Sequence, residues 1–226
     1  GPVVLPAPPA ELSDSRKYAL SLELDDGGAG TVRGSLALSG MEAVAWREAL
    51  REFDRDRIEE VFQQAELGWL RGATLTQLEI RNEKAIGKPL VLEFTASAQG
   101  MGFVQDGALV LPSSPMPLNL GLRWTGLPRR TTGIVIPYAP VQDAQVEIVV
   151  KGARLVEVPG EETIRSPFGS YERRVSAGGV GKDRVVLQFR STLRTGVVEP
   201  EEYQGLAAFA REVEAAEQAL VKASSR

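Results

Sequence analysis

The sequence contains no cysteine and no histidine. Histidine is the usual general base and a common metal ligand, and cysteine supplies thiolate nucleophiles and soft metal ligands. Their absence excludes Ser-His-Asp and Cys-His catalysis, zinc fingers, and the usual haem and iron–sulfur ligation. An enzyme built on this chain would have to use carboxylate, Lys, Ser, Thr or Tyr chemistry.

Long runs of one kind of residue are also missing. No stretch approaches the roughly 18 consecutive apolar residues of a membrane-spanning helix, and the first residues lack the basic and apolar blocks of a signal peptide. The 226 residues carry 26 Lys and Arg against 30 Asp and Glu, a net charge of −4, without a long block of either sign. This balance argues against a nucleic-acid or anionic-membrane partner.

The apolar content of 43% is that of an ordinary globular protein, and the length allows one domain or two small ones. The opening Gly-Pro pair is typical of a tag remnant, and the proline-rich residues 3–9 are typical of an extended linker. We therefore expect residues 1–16 to be tag remnant and linker, residues 17–222 to be a single domain, and residues 223–226 to be a disordered tail. The chain is then a fragment of a longer protein.

A hairpin is predicted at the start of the domain. Apolar residues alternate with polar or small ones in residues 17–25 and again in residues 32–39, which predicts two half-buried strands. The acid- and glycine-rich residues 25–30 between them favour a turn. A calcium loop is the alternative, but too few oxygen ligands stand at the required spacing, so we interpret the segment as a turn.

The periodicity becomes helical at Ser39, which stands three residues before Glu42, as in a capping box. The pattern predicts a helix over residues 41–53 and a second helix, capped by Asp54, that ends near Gly72. Arginines recur at four-residue intervals along the pair, at Arg47, Arg51 and Arg55. Because acidic residues accompany them, we interpret these arginines as a solvated face and not as a phosphate site.

Strand patterns fill most of the remaining chain. A hairpin is predicted over residues 75–94, and further candidate strands are residues 108–111, 132–138, 144–151, 154–158, 162–165, 170–177 and 183–193. Gly, Pro, Asn or Asp separates most of them, which is the spacing expected of an antiparallel sandwich. The proline-rich residues 112–127 predict an irregular loop with one helical turn.

A final helix is predicted from Glu199 and Pro200, because proline suits the first helical position and acids follow it. Its apolar stripe continues to about Lys222. The predicted fold class is therefore α+β and β-dominated. It is an antiparallel β-sandwich of roughly ten strands, with the helical pair (about residues 40–72) inserted after the first hairpin and a C-terminal helix (about residues 200–222).

Aromatic and arginine side chains in two loops are the candidate partner contacts, because these residue types dominate interface hot spots. The set is Arg123, Trp124, Arg129, Arg130, Phe168 and Tyr171. The alternative is that they plug the ends of the sandwich. Trp46 and Trp69, in the helical segment, are expected to be core residues.

Lys182 follows a glycine-rich run, residues 178–181, that superficially resembles a phosphate-binding loop. The run lacks the spacing of that motif and leads into a strand, so we interpret it as a hairpin turn. No catalytic, cofactor-binding or metal-ligating residue is predicted.

Several short motifs, taken in order, resemble one protein family. They are Gly34-Ser35-Leu36, Trp46-Arg47, Arg130, Ile136-Pro137-Tyr138, Ser166-Pro167-Phe168-Gly169-Ser170-Tyr171 and Val198-Glu199-Pro200-Glu201-Glu202-Tyr203. Over residues 17–222 the chain is similar to the β-sandwich domain of unknown function that follows the transglutaminase-like domain in large bacterial exported proteins. The closing Pro-Glu-Glu-Tyr helix is the most specific part of the resemblance.

The resemblance implies a periplasmic or cell-surface location and a neighbouring transglutaminase-like domain, whose acyl transfer uses Cys, His and Asp. No catalytic residue carries over, because this chain has neither Cys nor His. We expect a non-catalytic structural or interaction module without a cofactor. Its expected partner is a neighbouring domain of the same parent chain or an envelope protein.

Two alternatives to this function stay open. A stand-alone carbohydrate- or peptide-binding module predicts a concave face with unpaired aromatic residues. A self-standing carboxylate enzyme predicts a cleft with two acids whose pKa values diverge.

Overall fold

The computed structural model describes residues 13–114 and 117–225. The predicted tag remnant, most of the predicted linker and Arg226 lie outside the described residues. Fourteen strands and four α-helices are found in the described ranges, and β1 begins ahead of the predicted boundary at residue 17. The strands are β1 (Ser15–Leu24), β2 (Gly30–Ser39), β3 (Ala73–Arg81), β4 (Leu90–Ala98), β5 (Phe103–Gln105), β6 (Ala108–Pro112), β7 (Ile134–Ile136), β8 (Val141–Val150), β9 (Ala153–Glu157), β10 (Glu162–Ser166), β11 (Gly169–Gly178), β12 (Arg184–Leu193), β13 (Gly196–Val198) and β14 (Leu220–Ser225). The helices are α1 (Met41–Glu52), α2 (Arg55–Ala65), α3 (Leu120–Trp124) and α4 (Tyr203–Glu217), with a 3-10 turn at Pro200–Glu202 before α4.

The strands form three open sheets. The large sheet has the order β10-β11-β12-β8-β1-β2-β4-β3, the small sheet has the order β5-β6-β14-β9, and β7 pairs with β13. The predicted sheet-dominated α+β fold is confirmed, but ten strands is too low a number. Strands β5 and β13 have three residues each, which is too short for an alternating pattern to be recognised.

Strand β1 lies in the middle of the large sheet and has neighbours of both directions. It pairs antiparallel with β2 and parallel with β8, where Leu22 lies opposite Ile148. The prediction of a purely antiparallel arrangement is therefore wrong at this pair. Alternation along a strand shows which face each side chain takes, but it does not show the direction of the neighbouring strand.

The first hairpin and its turn form as predicted. The Asp25 Oδ1 atom accepts hydrogen bonds from the backbone N–H groups of Gly27 and Ala29, at 2.9 and 2.8 Å, so the side chain stabilises the turn itself. Within the sheet, a Cβ atom at Gly34 would lie 2.5 Å from the Phe94 ring. Glycine at this position therefore allows the Phe94 side chain to pack across β2.

Helix α1 has nearly the predicted bounds and α2 begins as predicted, but α2 ends at Ala65 and not near Gly72, and the cap of α1 comes from elsewhere. Ser39 is the last residue of β2, and the residue before α1, Gly40, makes no side-chain cap. The Met41 N–H donates instead to Asp14 Oδ1 at 2.8 Å. The predicted Ser39 capping box is wrong, because the cap comes from the residue just before β1. The predicted Asp54 cap of α2 is confirmed, since its side chain accepts from the backbone N–H of the third residue after it.

Arg47 is a second correction in the helical pair. Its side chain is only 6% exposed, whereas Arg51 and Arg55 are exposed. The Arg47 guanidinium donates hydrogen bonds of 2.9 to 3.2 Å to four backbone carbonyl oxygens of the β3–β4 connection. These are the carbonyl oxygens of Asn82, Glu83, Ala85 and Lys88. The solvated-face interpretation is therefore wrong for Arg47. This residue holds a loop through buried hydrogen bonds.

The C-terminus differs from its prediction. Helix α4 ends at Glu217, and β14 is inserted between β6 and β9. In β14, Val221 and Ala223 are buried and Lys222 and Ser224 are not, which is a strand pattern. The predicted extension of the helix to Lys222 is wrong, and it arises because Leu220 continues the spacing of the apolar stripe. The predicted disordered tail from residue 223 is also wrong, because β14 continues to Ser225.

Two hydrophobic clusters lie between these elements. The first joins the inner face of the large sheet to α1, α2 and the small sheet. The second surrounds α4 and includes residues of α3, β7, β10 and β11. No helix among the described residues has the length and apolar character needed to cross a membrane.

The glycine-rich run before Lys182 joins β11 to β12 as a hairpin turn, as predicted. It also pairs with β9. The Gly181 N–H donates to Leu155 O at 2.8 Å, and the Leu155 N–H donates to Lys182 O at 2.6 Å. The run therefore covers the outer edge of the small sheet.

Candidate functional site

A polar cleft of about 420 Å³ separates the helical pair from the segment that links β6 to β8. The start of β1 forms its floor. The lining residues are Arg16, Tyr18, Glu42, Gln64, Ala65, Gly68, Trp69, Pro117, Asn119, Arg123, Tyr138, Pro140 and Gln142.

Arg16 organises the floor of the cleft. Its guanidinium pairs with the carboxylate of Glu42 on α1 and, at 2.5 Å, with Glu66 Oε2 just after α2. It also donates to the Tyr18 hydroxyl at 2.7 Å, and that hydroxyl donates to Glu66 Oε2 at 2.6 Å. Three elements distant in sequence are thus joined by one connected network of charge-assisted hydrogen bonds.

The pKa values of Arg16 and Tyr18 are both raised in this network. Burial alone would lower the pKa of Arg16, but the charges of Glu66 and Glu42 outweigh it and raise the pKa. Burial, followed by the charge of Glu66, raises the pKa of Tyr18 well above its usual value. The guanidinium therefore stays charged and the phenol stays neutral at physiological pH.

Tyr138 and Trp69 add aromatic character to the cleft. Burial, together with the nearby acids Glu42 and Asp14, raises the pKa of Tyr138. The Trp69 Nε1 and Tyr138 hydroxyl atoms are buried and form no hydrogen bond of standard geometry with any residue in the described ranges.

The opposite wall of the cleft is segment 117–124, and two carboxylates of α4 hold it in place. Glu217 Oε1 accepts the Leu118 N–H at 2.9 Å, and Glu214 Oε1 accepts the Gly121 N–H at 2.7 Å. A Cβ atom at Gly121 would lie 2.5 Å from the Glu214 carboxylate. Glycine at this position therefore allows the helix and the segment to approach closely enough for the second bond.

Glu217 is buried, with 8% of the residue exposed. Burial raises its pKa to about 7, the bond from Leu118 lowers it, and the charge of Glu214 raises it. Arg173 is buried near the same turn, but it donates to the carbonyl oxygens of Gly160 and Ala216. No ion pair to a described residue compensates the Glu217 carboxylate.

Of the arginines and the tryptophan of the first predicted contact loop, Arg123 lines the cleft. Arg123 is exposed and lines the cleft, and its Cζ atom is 5.8 Å from the centre of the Trp124 ring. Trp124 is half-buried against the second cluster, Arg129 is exposed and Arg130 is half-buried. Their role as partner contacts stays a prediction.

Phe168 and Tyr171, the other two predicted contacts, are core residues with 7% and 2% exposure. Their burial favours the alternative that they fill the core over a role as partner contacts. Both belong to the second cluster, and a Cβ atom at Gly205 would lie 2.9 Å from the Phe168 ring. Trp46 is buried in the first cluster as predicted, and Trp69 packs against that cluster while half-buried.

The Arg16 network was not predicted, although the sequence contains a signal for it. Arg16 has the same parity along β1 as Tyr18 and Leu20, which are buried. A charged residue on the core-facing side of a strand requires a partner charge. Its partners Glu42 and Glu66 could not be named, because nothing local connects them to β1.

The open face of the large sheet contains a groove of about 580 Å³ with a different character. Ion pairs lie on it, including Arg81 to Glu93 at 2.5 Å and Arg184 to Glu147 at 2.8 Å. The aromatic residue that lines this groove, Phe94, is buried. The groove therefore lacks the unpaired aromatic residues that a carbohydrate-binding face would need.

Comparison with known proteins identifies a domain for part of the chain. Residues 113–221, slightly less than half of the chain, match the family described as a domain of unknown function with a solved structure, DUF3858. No curated protein and no solved structure gave a significant match. The predicted resemblance to a domain of unknown function is confirmed for residues 113–221. The link to a transglutaminase-like domain stays a prediction.

Proposed function

We propose that the protein is a non-catalytic interaction module that acts on a neighbouring transglutaminase-like domain in a larger bacterial envelope or exported protein. In this proposal the two main sheets pack as a sandwich, and the parent protein is located in the periplasm or at the cell surface. The polar cleft and its rim are the contact site.

The position of the cleft is the observation that carries this proposal. Its floor is formed by Arg16, close to the first described residue of the chain, and Asp14 is bonded to the start of α1 at its edge. The first described residues therefore lie at the edge of the cleft. A domain joined ahead of them would be tethered to the chain on the side of this site.

The chemistry of the cleft supports binding over catalysis. Arg16, Glu42, Glu66 and Tyr18 are bonded to one another, so these groups have partners before any substrate arrives. The pKa values of Tyr18 and Arg16 are raised, which moves these groups away from acid–base function at neutral pH. A preorganised network of this kind suits a fixed recognition surface.

Deletion of residues 17–222 from the parent protein is the direct test. We expect the activity or the assembly of the neighbouring domain to change by a factor of about ten, because its contact surface is lost. Unchanged activity together with unchanged assembly would contradict the proposal. A parent protein carrying Arg165→Glu, an exposed arginine away from the cleft, is the control for a general effect of altered charge.

Peptide binding without a neighbouring domain is the second candidate function. Trp69 and Tyr138 favour it, because they place aromatic surface in the cleft beside the side-chain amides of Gln64 and Gln142. Under this alternative, the isolated chain binds peptides and the deletion leaves the neighbouring domain unaffected. The deletion experiment distinguishes the two functions, because it alters the neighbouring domain only under the accessory function.

A further inference from the structure

Two leucines in the segment that contains Arg123 are unusually exposed. Leu122 on α3 is 86% exposed, the highest value among the large apolar side chains of the described ranges, and Leu127 is 55% exposed. Arg123 and Arg129, beside them in the sequence, are also exposed. We call these four residues the Leu-Arg surface. Exposed apolar side chains bordered by polar ones are typical of interaction sites.

The loop that carries the Leu-Arg surface is fixed on α4. The Tyr203 hydroxyl donates to Leu127 O, and Gln204 Nε2 donates to Pro128 O at 2.9 Å. The Glu214 bond to Gly121 holds the other end of the loop. Because the loop is already anchored, a partner would lose little affinity to the ordering of this backbone.

Residues 107–142, which include the Leu-Arg surface, carry a charge opposite in sign to the net charge of the whole chain. No acidic residue lies between Asp106 and Asp143, although the chain has a net charge of −4. Arg123 and Arg129 form no ion pair with any residue that the structure describes. On the large sheet, by contrast, exposed arginines are paired with carboxylates, namely Arg33, Arg81, Arg174, Arg184 and Arg190.

We propose that the Leu-Arg surface docks an acidic peptide segment that also carries apolar side chains. The inference rests on the proposed function and specifies the chemistry of its partner. Carboxylates of the segment pair with Arg123 and Arg129, and its apolar side chains cover Leu122 and Leu127. A second copy of this chain would present the same positive charge and is disfavoured as the occupant.

Selection from a phage-displayed library of random dodecapeptides tests this proposal on the whole chain. Panning uses the wild-type chain alone, and the double variant Arg123→Glu, Arg129→Glu is kept for the binding measurements. We expect the selected peptides to be rich in Asp or Glu and in apolar residues. Their affinity should fall about tenfold or more in the double variant and should weaken as the salt concentration rises.

Matched variants separate this surface from general effects of charge and folding. The double variant Arg154→Glu, Arg165→Glu changes the same number of exposed arginines elsewhere, on β9 and β10, and is expected to bind the selected peptides like wild type. The double variant Leu122→Ser, Leu127→Ser keeps the charges and should lose affinity. Circular dichroism confirms that each variant is folded.

Three outcomes would overturn the inference. They are selected peptides without an acidic excess, equal binding by wild type and the double arginine variant, and dimerisation of the chain through this surface in sedimentation experiments. If the deletion of residues 17–222 alters the neighbouring domain while the arginine variant does not, this inference fails and the proposed function stands. If the deletion has no effect while acidic peptides still bind, only the accessory function fails.

Discussion

Arg47, on a helix of the first hydrophobic cluster, and Glu217, on a helix of the second, are both buried charges, but their surroundings differ. Arg47 has four carbonyl partners, whereas the Glu217 carboxylate has one backbone N–H partner and no compensating cation among the described residues. A buried charge whose hydrogen-bonding capacity is satisfied fixes the structure around it. A buried carboxylate whose hydrogen-bonding capacity is not satisfied makes the stability of the structure around it depend on its protonation. The cleft lies where these two regions meet.

Replacing Arg47 with methionine tests the satisfied side of this comparison. We expect the free energy of unfolding to fall by about 3 to 4 kcal/mol, because buried carbonyl oxygens lose their donors and the β3–β4 connection loses its anchor. Urea denaturation measures the change. The control is Arg51→Met on the same helix, where an exposed residue is replaced and a change within about 0.5 kcal/mol is expected. Equal effects of the two changes would refute the role of Arg47.

Replacing Glu217 with glutamine tests the unsatisfied side. The pKa of Glu217 is about 7 in the folded protein, above its ordinary value of 4.5. Between these two pH values the folded state binds more protons than the unfolded state, so wild-type stability decreases as the pH rises through this window. Glutamine is neutral and still accepts from Leu118. We expect a gain of about 2 kcal/mol at pH 8 and little change near pH 4.5.

The measurement is urea denaturation of both proteins at the two pH values. Glu212→Gln serves as the control, because Glu212 is an exposed residue of the same helix and its replacement should change the stability by less than about 0.5 kcal/mol. A Glu217→Gln effect that is the same at both pH values would show that the Glu217 carboxyl does not titrate here.

Gly34→Ala tests the packing of the first hydrophobic cluster. The added Cβ atom would lie 2.5 Å from the Phe94 ring and 2.6 Å from a methyl of Leu20, so we expect a loss of about 1.5 kcal/mol from overpacking. Gly87→Ala is the matched control, since no atom lies within 4 Å of its added Cβ. Thermal unfolding should show a lower Tm for the first variant alone, and equal Tm values would contradict the packing described for Gly34.

Asp14→Ala has the smallest expected effect. It removes the acceptor of the Met41 N–H, and the loss of a helix cap typically costs about 1 kcal/mol. Ser39→Ala is the comparison, because Ser39 is the residue that the sequence pattern selects as the cap. We expect Ser39→Ala to lower the free energy of unfolding less than Asp14→Ala does in urea denaturation. A larger effect of Ser39→Ala would support the Ser39 capping box.

These two caps illustrate how much of the fold could be predicted. The Asp54 cap follows from the sequence, because its donor and acceptor are three residues apart. Asp14 caps a helix across the β1–β2 hairpin and was not found. The bounds of α1, α2 and most strands follow from local periodicity, whereas pairings between distant strands, such as β1 with β8, do not.

The candidate site follows the same rule. Arg123 and Trp124 were predicted from residue type within one loop, and Arg123 does line the cleft. Whether Phe168 is a contact or a core residue does not follow from the sequence, because burial depends on what packs above it, and α4 is supplied by a later part of the chain. The Arg16 network needs three distant elements at once, and Arg16 lies in the predicted linker, so the network is not predicted.

The central place of β1 in the large sheet has a consequence for biosynthesis. Strand β1 is made early, but its parallel neighbour β8 begins only at Val141. A nascent chain that has not reached this residue carries β1 with one edge unpaired, and an unpaired edge is a template for aggregation. Formation of the parallel pair requires a contact of high sequence separation, so closure of the sheet is expected to be the slow step in folding. A ribosome pausing within residues 100–140 would prolong this exposure.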